Sequence, residues 1–171
     1  MRSNASRRYL IRLLVCSLAA LGVMVVIFIF SSQNGAESSA VSGNICRLLV
    51  QVLGPVLPDA ILSFLTEYIR KIAHFSIYFA LSLSISLGAW NLVKLRSFRG
   101  VRVVLCYCAG YLICVLYALS DEWHQSFVGS RSPQFFDVLI DSAGALLALA
   151  VIVTIYALHS SFSKLNKNSA D

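Results

Sequence analysis

Charge is scarce in this chain: Asp, Glu, Lys and Arg make up 13% of its 171 residues, against 58% apolar types. With a mean hydropathy of +0.77, that scarcity excludes an ordinary soluble domain of this size. Paired cysteines are missing too. Cys16, Cys46, Cys106, Cys108 and Cys114 follow neither a disulfide framework nor a zinc spacing. Three of them fall inside one apolar run, where a thiol serves as a small apolar filler. No stretch alternates polar and apolar residues, which excludes a membrane β-barrel, so the apolar runs must satisfy their backbone hydrogen bonds as helices. There is no internal repeat, no inverted repeat of the kind transporters use, and no compact metal-ligand motif such as His-Glu-x-x-His.

What is present is four long apolar runs. The first, Leu13 to Phe30, follows Arg2, Arg7, Arg8 and Arg12 and so begins like a secretory signal. It is longer than the roughly 7 to 15 residues of a signal core and leaves through Phe28-Ile29-Phe30-Ser31-Ser32-Gln33 with no small-x-small cleavage site, so a retained anchor is expected. The others cover about 72–93, 101–119 and 135–158, each close to the roughly 20 residues that cross a hydrocarbon core. The expected fold is all-α: a polytopic membrane protein with four transmembrane helices. A basic arm over 1–12, a membrane domain over 13–158 and a tail over 159–171 complete the plan.

Orientation is read from Lys and Arg in the short flanks. Arg2, Arg7, Arg8 and Arg12 in the arm, Lys94, Arg96, Arg99 and Arg102 after the second run, and Lys164 and Lys167 in the tail are most of the fourteen basic residues. Both termini are therefore expected in the cytoplasm. The segments 31–71 and 120–134 would face outward with only Arg47, Arg70, Lys71 and Arg131. The net charge of +6 is accounted for by this asymmetry and by anionic inner-leaflet lipid, without nucleic acid. In the first outward segment, Val41, Ile45, Leu48, Leu49 and Val52 recur at helical spacing, predicting an amphipathic helix over about 39–53. Gly54-Pro55 and Leu57-Pro58 break it, and a second helix from Asp59 runs toward the next span near Lys71.

The polar residues that remain are concentrated. Lys71, His74, Tyr78 and Ser82 share one face of the second span. Asp121, Glu122 and Gln125 share a side if the third span continues one more turn. Asp137 and Asp141 lie on one face of the fourth, continued by Gly144 and Ala148 in a small-xxx-small pattern. An unpaired carboxylate facing lipid costs on the order of 2.5 to 3.5 kcal/mol, so these groups must pair or line a wet cleft. By orientation the three faces meet just under the outer interface.

Four motifs in order, Phe30-Ser31-Ser32-Gln33, Arg70-Lys71-x-x-His74-Phe75-x-x-Tyr78, Ser120-Asp121-Glu122-x-x-Gln125-x-Phe127-x-x-x-Arg131 and Asp137-x-x-x-Asp141-x-x-Gly144, together resemble the VanZ-like family over about residues 22–158. These are bacterial membrane proteins named after the teicoplanin resistance protein VanZ. The resemblance implies a small helical protein of the cell envelope, not an established reaction. It carries over Gln33, Lys71, His74, Glu122, Gln125, Arg131 and Asp137 as functional positions; at Asp141 an amide also suits the family pattern.

Three functions fit these residues. In the first, an outward pocket binds or modifies an envelope molecule: a lipid-linked or peptidoglycan precursor, or an anionic lipid. Lys71, His74 and Arg131 hold its anionic group, while Glu122, Asp137 and Asp141 orient or deprotonate its neighbour. Gln33, Gln125 and Tyr78 complete the lining, and His74, Glu122 and Asp137 are the candidates for catalysis. Arg131 alternatively forms a bidentate pair with Glu122 or Asp137. In the second, the helices are a scaffold or partner subunit locked by polar contacts. In the third, His74, His124, Glu122 and Asp137 hold a metal in a membrane hydrolase. No cofactor is called for by the motifs, and membrane lipid is the expected partner.

Overall fold

A computed structural model describes residues 4–54, 56, 58–128 and 134–168. It contains α1 (Asn4–Ser31), α2 (Gly35–Leu53), α3 (Asp59–Arg96), α4 (Val101–Gln125) and α5 (Phe135–Asn168), with no strand among the described residues. Four helical stretches are long and apolar enough to cross a membrane: Asn4–Ser31, Tyr68–Arg96, Val101–Gln125 and Phe135–His159. At 1.5 Å per residue the shortest spans roughly 37 Å, more than the ~30 Å hydrocarbon layer. Arg131 and Pro133 lie outside the described residues.

Helix lengths depart from the sequence expectations in one direction: they are longer. α1 starts at Asn4, so most of the basic arm is helical. α3 is a single helix of 38 residues in place of a short helix followed by a span, because no proline interrupts it after Pro58. α4 runs past Leu119 to Gln125, which places Asp121, Glu122 and Gln125 on a regular helix. α2 begins at a capping box. The Asn34 side chain accepts the Glu37 N–H at 2.9 Å and the Glu37 carboxylate accepts the Asn34 N–H at 3.1 Å. Its start at Gly35, earlier than the apolar periodicity alone indicates, follows from that cap.

α3 is the central helix, packed against α1, α4, α5 and α2. The core is built from inward stripes: Ala20, Ile27 and Ser31 on α1, Tyr78, Leu81 and Ser82 on α3, Cys114 and Ala118 on α4, and Val138, Ala145, Ala148 and Ile152 on α5. α3 and α5 approach most closely at Gly144, where a Cβ atom would collide with the backbone carbonyl of Phe75. That approach lets the Ser82 hydroxyl donate to the Ala145 carbonyl at 2.7 Å, and the Tyr117 hydroxyl similarly ties α4 to the Met24 carbonyl of α1 at 2.7 Å. Leu14, Leu18, Leu21, Val25 and Ile29 of α1, with Leu105, Leu112 and Leu116 of α4, are exposed. Apolar surface this continuous would be a liability in water and is what hydrocarbon requires.

The helices alternate in direction, which separates the charges. Gly88 of α3 sits against Cys16 and Leu13 of α1, and Trp90 stacks edge-on against Tyr156 of α5. One end of the bundle therefore gathers Arg7, Arg8, Arg12, Lys94, Arg96, Arg99 and Arg102. The other gathers Ser31, Gln33, His74, Asp121 and Asp141.

Candidate functional site

The inward stripes do not stop where the apolar residues stop. On α4 the buried positions Tyr107, Gly110, Cys114 and Ala118 continue at steps of three and four to Asp121 and Gln125. On α5 the stripe of Ile152, Ala148 and Ala145 continues back to Asp141. On α3 Leu81 and Tyr78 lead to His74. Helical geometry thus carries the core's own faces into a polar cluster at one end of the bundle.

In that cluster Asp141 is fully buried, and its Oδ1 stands 3.4 Å from His74 Nδ1, within ion-pair range but without hydrogen-bond alignment. Asp121, 5% exposed, accepts a hydrogen bond from the Gln125 side-chain amide at 3.1 Å. These are positions i and i+4 of one helix, the spacing at which such pairs meet. One ligand-type atom from each of His74, Asp121 and Asp141, on three different helices, lies within 4.8 Å of the other two. Tyr78, one turn below His74, buries its hydroxyl with no hydrogen-bond partner among the described residues.

Beside the cluster is a cavity of about 190 Å³ between α1, α2, α3 and α4. Ile27, Phe30, Val41, Ile45, Ile69, Ala73 and Ile77 form its walls, and Ser31, Gln33, Arg70, His74 and Asp121 are its polar residues. At about 30 Å³ per water it holds roughly six water molecules. It is below the ~300 Å³ of a drug-sized pocket, so it suits a head group or a chain end better than a whole ligand.

The remaining candidates are dispersed around this centre. Glu122, 5% exposed, accepts the backbone N–H of Gln134 at 2.9 Å and so fastens the end of α4 to the start of α5. A carboxylate there also meets the positive end of the α5 dipole. Asp137 is half-buried in the first turn of α5, its own N–H donated to the Gln134 carbonyl. Gln33 lines the cavity. Lys71 is exposed, its ammonium 5.4 Å from the ring centroid of Tyr68, and its neighbour Arg70 lines the cavity in its place. His124 turns away from the cluster toward α1, stacked on Phe28 with Nε2 at 3.2 Å from the Ser32 hydroxyl. The set His74, His124, Glu122 and Asp137 is therefore not brought together as one ligand set. Asp121 and Arg70, which the sequence places on polar faces without a binding or catalytic role, are the residues that reach the cavity in addition to the expected ones. The signal for Asp121 is its place on the small-residue stripe of Cys114 and Ala118.

The arrangement offers a half-buried imidazole beside a fully buried carboxylate, able to exchange a proton, a second carboxylate next to them, and an apolar chamber lined by one guanidinium among the described residues. No curated protein and no solved structure matches the chain. A family profile does match, over residues 16–157, and it covers all four spans apart from the ends of the first and last. That match spans most of the chain, and the chain belongs to the VanZ/LLP1 family.

Proposed function

We propose that this protein binds an anionic amphiphile of the bacterial cell envelope at the outer face of the cytoplasmic membrane and, through His74, Asp121 and Asp141, orients or deprotonates its head group. The observation that carries the reading is the mixed character of one cavity: seven apolar side chains converge on a floor of His74 and Asp121 with Arg70 among the lining. A hydrocarbon end gains about 0.8 kcal/mol per buried CH₂ where a free ion gains nothing, and a guanidinium suits phosphate or carboxylate. The outward orientation is supported by the basic end of the bundle, which positive-inside bias assigns to the cytoplasm. The ligand class includes lipid-linked and peptidoglycan precursors as well as anionic lipids. Teicoplanin susceptibility would change through competition for that same molecule.

The test is lipid recovery. Protein extracted from its native membrane with a disc-forming polymer should carry one anionic amphiphile enriched over bulk lipid. Ile45→Trp, which places an indole in the cavity from α2, should lower that enrichment about tenfold, the equivalent of ~1.4 kcal/mol. Equal lipid profiles for the wild type and Ile45→Trp would contradict the reading.

A further inference from the structure

The polar floor of the cavity has a feature that head-group binding does not need. We propose that His74, Asp121 and Asp141 form a binding site for one divalent first-row cation, Zn²⁺ or Mn²⁺, held by three helices with a fourth coordination position open to the cavity.

The spacing of the three groups matches that of metal ligands. Metal bonds of about 2.1 Å in tetrahedral geometry separate neighbouring ligand atoms by about 3.4 Å. The His74 Nδ1 to Asp141 Oδ1 distance is 3.4 Å, and all three ligand atoms lie within 4.8 Å of one another. Small side-chain rotations close the remaining gap.

Unmet hydrogen bonding points the same way. Asp141 is 0% exposed, and neither of its carboxylate oxygens receives a hydrogen bond from the described residues. A buried carboxylate in that condition is expensive unless paired or coordinated. His74 Nδ1 faces Asp141 Oδ1 without the alignment of a hydrogen bond, which is how a carboxylate and an imidazole stand when both point at a third partner. Tyr78 adds a further, independent sign. It is 0% exposed and belongs to none of the three ligands, and its unpartnered hydroxyl lies in the field of Asp121 and Asp141. A phenol there would donate to a ligating carboxylate, the outer-shell bond that metal sites use to fix their ligands. Gln125 supplies the equivalent bond to Asp121.

The donor set defines the cation. One imidazole and two carboxylates with no thiolate do not suit a soft Cu(I) ion, and three protein ligands are too few for the six to eight oxygens of Ca²⁺. Three protein ligands plus one open position is the arrangement of a catalytic site, as distinct from a closed structural one. His74 and Asp121 both line the cavity, so a bound head group would meet the cation there. The inference thus deepens the amphiphile reading, yet its test uses the metal alone.

Full-length protein in detergent, stripped with EDTA, loaded with ZnCl₂ or MnCl₂ and desalted, should retain close to one cation per chain by plasma mass spectrometry. The cation should also raise the thermal unfolding midpoint. Asp141→Asn and His74→Gln should each cut retention by more than the roughly 10- to 100-fold typical of outer-shell changes, and should abolish the midpoint shift while keeping a monodisperse elution profile. Glu37→Gln, at the exposed cap of α2, should bind as the wild type does. Substoichiometric retention by the wild type, or full retention by both ligand variants, would overturn the site. The two outcomes are distinguishable from those of lipid recovery: a metal-free protein that still enriches its amphiphile refutes only this inference, and a stoichiometric cation with no enriched amphiphile refutes only the other.

Discussion

Replacing Gly144 by valine is expected to prevent stable assembly of the bundle. The added Cβ would meet the Phe75 carbonyl, a backbone group that cannot rotate aside, so α3 and α5 must move apart. Separation breaks the Ser82 to Ala145 hydrogen bond, and it also draws Asp141, one turn before Gly144, away from His74, the residue before Phe75. Overpacking of a tight contact costs about 3 kcal/mol at the upper end of its usual range, near a 150-fold loss in the folded ratio. Gly22 on α1 is the matched comparison, because a Cβ there meets nothing within 4 Å. Gly22→Val should cost less than about 0.5 kcal/mol. Equilibrium unfolding in mixed micelles measures both, and equal tolerance of the two substitutions would contradict the packing described.

The second large effect concerns the pair at the centre of the cluster. In metal-free protein, His74→Leu leaves the fully buried Asp141 without its only ion-pair partner among the described residues. Removing one member of a buried pair costs roughly 3 to 5 kcal/mol, whereas replacing both by apolar residues is often neutral. The double variant His74→Leu/Asp141→Leu should therefore be nearer to the wild type in stability than His74→Leu alone. A double-mutant cycle reads the coupling directly. The same double variant separates a binding site from a scaffold. Interhelical polar contacts average about 0.6 kcal/mol, so a pure lock loses little when the pair becomes apolar, and a scaffold function would survive. A binding function would not: the folded double variant should lose its enriched amphiphile. Additive single effects would mean that the two side chains do not interact.

The spans were legible because hydrocarbon thickness imposes a length on apolar runs, and the faces were legible because a helix repeats every 3.6 residues. Rotation about each helix axis was not. Lys71, His74, Tyr78 and Ser82 do share a side of α3, but the packing of α1 and α5 turns that side so that His74, Tyr78 and Ser82 face inward while Lys71 is exposed and Arg70 reaches the cavity. A rotation of about 100° per residue is enough to exchange two neighbours, and neighbour packing sets it. The same reasoning applies at the end of α4. Continuation of the helix by one turn aligned Asp121 with Gln125, yet directed His124 toward Phe28 and Glu122 toward Gln134. No local pattern distinguishes those directions. The placement of Arg131 lies outside the described residues.

The proposed function requires the polar chamber to open outside the cell, and that makes an unambiguous demand on thiol accessibility. In a Cys46→Ser background, Ser126→Cys at the exposed end of α4 should react in intact cells with a membrane-impermeant maleimide. Ser97→Cys, exposed in the turn between α3 and α4 at the opposite end, should react only after permeabilisation. The reversed pattern would place the His74, Asp121 and Asp141 cluster in the cytoplasm, out of reach of any envelope ligand.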